Sequence, residues 1–206
     1  DPLTAAVPVP DYTAALGRGI RGLRIGVVRE LKLDGGADPE VRAALETALG
    51  VLTSLGAVVE EVSLPLIDLA GPLFVAIADT DSAAVQYHRL RAQPQDFDSS
   101  TRTRLLSASL LPVGLYTRAQ RARTLLHRQM AEALTRYDVL FSPMSARPAL
   151  TIEEETAPMT TKDEVVRRQF AARNFTTPWA LAGLPAASIR SEEHTSELQS
   201  LRHLVC

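Results

Sequence analysis

Two short runs rich in β-branched residues, 23–28 (LRIGVV) and 57–62 (AVVEEV), flank a single amphipathic stripe, and this arrangement constrains the fold most. Val41, Ala44, Leu45, Ala48, Leu52 and Leu55 recur at helical spacing and predict one apolar face. Asp38 stands where a side-chain oxygen can take up an unpaired amide of the first turn. Pro39 then falls at the first helical position, where a missing N–H costs nothing. Gly56 suits the stop, because helices commonly end on a left-handed residue. Strand, helix and strand form a β-α-β unit of ordinary length, which puts the chain in the α/β class.

The remainder adds mainly helices. Residues 1–21 read as an extended connector, with Pro2, Pro8 and Pro10 each disfavouring helix just before it. A largely helical stretch spans 67–93, interrupted at Gly71-Pro72. A loop over 94–100 leads to a short helix over 101–110. A long helix over 113–137 carries Leu115, Ala119, Ala122, Leu126, Ala133 and Tyr137 on one face. Residues 139–141 (VLF) read as a short buried strand ended by Ser142-Pro143. A loop over 144–162, a helix over 162–174, a turn of helix over 177–183 and a strand starting near 186–189 complete the reading.

Composition removes several chemistries. The formal net charge is −2, which supplies no basic surface for nucleic acid or anionic membrane. Cys206 is the one cysteine, so disulfides and Cys-type metal sites are not expected. His88 and His127 lie within helical patterns, as solvated or capping residues. Gly35-Gly36 lacks both the dinucleotide spacing and the P-loop Gly-Lys-Ser/Thr, and reads as a turn. Glu153, Glu154 and Glu155 read as a solvated loop rather than a metal site. No apolar run approaches the roughly 18 residues that span a bilayer. Residues 1–20 lack a secretory pattern, so a cytoplasmic location is expected. No cofactor and no metal is expected. Arg102, Arg104, Arg118, Arg121, Arg123 and Arg128 cluster on the two middle helices. They form either a solvated outer face or, for one of them, a contact to an anionic group in a cleft.

Four ordered segments resemble the amidase signature family. Asp1-Pro2 and residues 7–12 (VPVPDY) precede residues 20–27 (IRGLRIGV). Residues 102–105 (RTRL) lead to 116–123 (YTRAQRAR). Residues 137–143 (YDVLFSP) follow, and 175–178 (FTTP) with 182–186 (AGLPA) close the set. The resemblance covers residues 1–189. It implies a partial amidase-signature fold, a mixed β-sheet flanked by helices and incomplete at both ends. It also implies hydrolysis of a small-molecule amide by a Ser nucleophile, a cis-peptide Ser and a Lys. A buried neutral Lys can act as the base in a protein this poor in histidine.

The family places those catalytic residues upstream of the segment resembling Asp1-Pro2, so no catalytic residue carries over. Lys32 and Lys162, the only lysines, match no motif, and Ser99-Ser100 lacks flanking glycines. The resemblance puts Thr177 and Trp179 near the acyl side of the substrate, with Arg104 and Arg173 behind them. Core packing for Trp179 and helix capping for Thr177 are the plainer alternatives. In the glutamine-using component of the tRNA-dependent amidotransferases, an acidic residue falls where Arg173 stands, and an Asn where Ala180 stands. A cation at 173 repels a substrate ammonium, which favours a general amidase over that component. A non-enzymatic α/β binding module or a helical interaction domain also fits the composition.

Residues 190–206 read differently. Residues 190–200 (RSEEHTSELQS) resemble the in-frame translation of a sequencing adapter. Residues 1–189 are therefore expected to be the amidase part, and 190–206 a non-native tail standing apart from the core. Loss of neighbouring strands is expected to leave an open sheet edge at 23–28 or 139–141.

Overall fold

A computed structural model describes residues 7–15, 17–31, 38–157, 161, 164, 173–190 and 203–205. The β-α-β unit forms as expected. Strands β1 (Arg24–Val28) and β2 (Val58–Val62) pair in parallel, from Arg24 opposite Val58 to Val28 opposite Val62. Helix α1 (Pro39–Ser54) connects them. The Asp38 carboxylate accepts from the Glu40 amide at 2.9 Å, and Gly56, at φ +90°, turns the chain out of the helix toward β2.

Strand β3 (Val139–Pro143) joins β1 on its other side, also parallel, with Ile25 opposite Val139 and Val27 opposite Phe141. Strand alternation then sorts the core into two layers. Ile25, Val27 and Phe141 pack with Leu45 of α1. Val28 and Leu140 face the long helix α5 (Val113–Arg136), whose Ala119, Leu126, Met130 and Ala133 are buried. The Arg24 side chain grips Asp138, Nη2 to Oδ1 at 2.7 Å and Nε to Oδ2 at 3.1 Å. The Asp138 amide in turn donates to the Arg24 carbonyl at 2.9 Å. These bonds fix the β1–β3 register at its first rung.

Between β2 and α5 the chain is nearly all helix. Helix α2 (Ala70–Phe74) passes through a π-helical turn, Val75–Asp79, into α3 (Thr80–Ala92), and α4 (Ser99–Ser109) packs on α3. Gly71-Pro72 does not interrupt this stretch, because Pro72 sits in the first turn, where its missing N–H has no intrahelical partner to lose. The irregularity lies one turn later, in the π turn.

Several other expectations change. Ser142-Pro143 continues β3 rather than ending it: Ser142 pairs with Val205 and Pro143 with Leu204. The expected 144–162 loop holds a helical turn, α6 (Ile152–Thr156), started by a reciprocal Thr151–Glu154 capping box. One member of the acidic run is therefore a capping group. Helix α7 (Arg173–Ala182) is longer than the expected turn over 177–183. Most of the expected 162–174 helix, and Gly35-Gly36, lie outside the described residues.

The sheet order is β2-β1-β3-β5-β4, with β4 at Ser188–Arg190 and β5 at His203–Val205, both in antiparallel pairing. The expected unpacked tail is thus corrected at Arg190 and at 203–205. Strand pairing uses backbone groups, and the free ladder groups of β3 and β4 accept any extended segment of suitable length. The expected open edge at β1 is corrected too, since β1 is interior, between β2 and β3. The architecture is a mixed sheet flanked by helices, in the α/β class.

Candidate active-site region

Thr177 and Trp179 stand on α7, each 4% exposed. Pro178 between them is also buried. It removes an amide from the helix interior, so the turn around it depends on packing rather than on its ladder. Trp179 belongs to the same buried cluster as Val28, Leu126 and Met130, and its indole N–H donates to the Phe175 carbonyl at 2.8 Å. Phe175 touches both core layers and seats the start of the helix. Thr177 lies inside the helix rather than at its cap.

Arg104 lies elsewhere. It projects from α4 to Asp79 at the end of the π turn, where Nη1 donates to Oδ1. The Asp79 side chain is 3% exposed and that of Arg104 33%. A buried carboxylate needs a partner, because an unpaired charge there is strongly unfavourable. Arg104 supplies it and ties α4 to the π turn. The apolar neighbours Leu105 and Ala108 belong to a separate cluster from that of Trp179. Arg173 starts α7, and its side chain lies outside the described residues. The structure therefore brings Thr177 and Trp179 together on one helix and gives Arg104 a protein carboxylate as partner.

The arginine cluster divides by task. Arg102 donates to the Pro94 carbonyl at 3.2 Å, and Arg123 Nε to the Leu181 carbonyl at 2.6 Å. Arg118, Arg121 and Arg128 are exposed. His127 Nδ1 donates to the Ala182 carbonyl at 2.7 Å, the capping role expected for such a residue.

Among the described residues two buried hydroxyls lack a hydrogen-bond partner, Thr80 Oγ1 and Ser142 Oγ. Leaving such a group unmade is costly, so both are candidates for a polar partner. Ser142 stands at the carboxyl end of β3, and open α/β sheets bind ligands beyond the carboxyl ends of their strands. Sequence reasoning treated Ser142 as a strand terminator, and only its zero exposure separates it from the other serines. Asp79 was missed as well; an acid inside an apolar helical stretch (LFVAIAD) was the available signal. A groove of about 360 Å3 between the end of β2 and α5 is lined by Val62, Ser63, Leu64, Gln129, Ala133 and Arg136 among others, and holds none of the four predicted site residues. Among the described residues no group of His, Cys, Asp or Glu could hold a metal ion. Nor is any helix among them long and apolar enough to cross a membrane.

Comparison with known proteins agrees with this geometry. The Amidase family matches residues 1–198. An amidase from Pseudomonas putida is 36% identical over 193 residues, covering 92% of this chain and 40% of that protein. The A subunit of the glutamyl-tRNA(Gln) amidotransferase of Trichlorobacter lovleyi is 32% identical over 213 residues, covering 92% and 42%. Among solved structures, an amidase superposes with a TM-score of 0.74 at 25% identity, over 91% of this chain and 42% of that one. An inhibitor-bound complex, described with the evolutionary origins of an s-triazine catabolic enzyme, gives 0.78 at 27% identity, over 100% and 43%. The chain spans about two-fifths of the length of the curated relatives it matches.

Proposed function

The chain belongs to the amidase family, and on that premise we propose that it is the carboxy-terminal part of a cytoplasmic enzyme hydrolysing a carboxylic amide to acid and ammonia. The observation that carries this reading is a match over nine-tenths of this chain to only two-fifths of its relatives. The nucleophile and its base then come from residues outside this chain. The family's Ser/cis-Ser/Lys relay suits that division: the Ser attacks the amide carbon, the nitrogen takes a proton and leaves as ammonia, and water releases the acid. This chain offers hydroxyls but no Lys or His in a motif that activates one. Its contribution is substrate positioning, with Thr177 and Trp179 of α7 toward the acyl group and Arg173 behind; Arg104, held by Asp79, stands apart from them. No cofactor enters. Residues 190–206 take no part in this reading.

A second reading, the glutamine-using component of a tRNA-dependent amidotransferase, is favoured by the relatives of that name. Arg173 and Ala180 count against it, since a cation at 173 repels a substrate ammonium. The test is ammonia release from glutamine and from a panel of aliphatic and aromatic amides, comparing the 206-residue chain with the full-length gene product. The expected result is activity in the full-length product and background in the chain alone. Activity of the lone chain, abolished by a point change within it, overturns the division of labour. An inactive full-length product overturns the amidase reading in favour of a binding module.

A further inference from the structure

The carboxyl end of α7 is closed on all four of its terminal carbonyls, and two of the four donors come from another helix. The Leu184 amide donates to the Trp179 carbonyl at 3.3 Å and the Gly183 amide to that of Ala180 at 3.1 Å. With Gly183 at φ +68°, this is a Schellman closure. The next two carbonyls, of Leu181 and Ala182, receive Arg123 Nε at 2.6 Å and His127 Nδ1 at 2.7 Å. Arg123 and His127 are four residues apart and so share one face of α5. That face is held in place by the buried Leu126 and Met130 beside them. A cation at this end of α7 also meets the negative end of the helix dipole.

We propose that Arg123 and His127 are positioning residues for the substrate: a two-point latch from α5 that sets the translation and rotation of α7, and with it the placement of Thr177 and Trp179. One donor leaves a helix free to pivot about its bond, whereas two donors a helical turn apart on a rigid partner remove that freedom. Pro178 makes the latch matter, because α7 lacks an interior hydrogen bond just before Trp179 and cannot hold its own shape there as firmly. The catalytic consequence rests on the amidase reading above. The latch itself does not.

Trp179 is the only tryptophan of the chain and reports on α7 directly. In the 206-residue chain, the Arg123→Met/His127→Phe double variant is expected to shift Trp179 emission to longer wavelength and raise acrylamide quenching about twofold. Far-UV circular dichroism should stay that of the parent. Arg121→Met, on the exposed side of α5, leaves both optical readouts unchanged, and Arg123→Lys restores most of the signal lost in Arg123→Met. If the double variant does not fold, the single His127→Phe variant carries the same readout. In the full-length product the double variant raises KM about tenfold with kcat little changed, the signature of lost substrate placement. An unmoved Trp179 signal overturns the latch. A moved signal with unaltered KM reduces it to a structural cap and overturns the positioning role. A parent product without amidase activity defeats the functional reading separately, and Trp179 then decides the latch alone.

Discussion

Asp138 and Gly26 hold the same seam in different ways. The Arg24 guanidinium bonded to Asp138, together with the Arg24 amide, lowers the Asp138 carboxyl from 3.8 to about 2. A carboxyl depressed in the folded state adds stability that is fully present above its unfolded value and is lost as pH falls through the folded one. The β1–β3 seam should therefore weaken between about pH 4 and pH 2. Urea midpoints across that range check this: Asp138→Asn should be less stable near neutrality and should lose part of the acid dependence. At Gly26 a Cβ would stand 2.9 Å from the Tyr137 ring and 3.1 Å from Leu140 Cδ2. Gly26→Ala should destabilise by about 1–3 kcal/mol in thermal or urea melts, as overpacked cores do. Adding Tyr137→Leu should recover part of the loss.

Among the elements, those with local causes were legible in the sequence. Helix α1 announces its stripe, its Asp38 cap and its Gly56 stop within a single window, and it forms as read except at Leu55, which lies past the last helical residue and is exposed. The Thr151–Glu154 box was equally local, yet the acidic run around it hid a helical turn. What was not legible depends on distant partners. The need for glycine at 26 is set by Tyr137, and the π turn at Val75–Asp79 is tied to Arg104 on another helix. Arg104 looked free for an anionic substrate because the sequence could not show Asp79 beneath it. Breaking that pair by Asp79→Ala strands a partly buried guanidinium and should cost about 3 kcal/mol, near the lower end for such pairs because Arg104 is one-third exposed. A double-mutant cycle with Arg104→Met, read by urea melts, should return a coupling well above that of an exposed ion pair. A coupling near zero would mean that Arg104 is held by other contacts and remains available for substrate.

At the scale of the whole molecule, β2 forms one margin of the sheet, with Val58, Glu60 and Glu61 exposed. Paired acids on an outer strand oppose edge-to-edge association. Replacing both by valine should promote self-association, visible as a concentration-dependent rise in sedimentation coefficient, whereas the parent chain should show less. The position of β1 has a temporal consequence. Its first partner lies close by in sequence, but its second, β3, is made only after the whole helical stretch has been translated. At ordinary synthesis rates that delay is on the order of ten seconds. For that interval an interior strand of the finished sheet has one bare side, so the free ladder groups of β1 stay open to non-native pairing until β3 arrives.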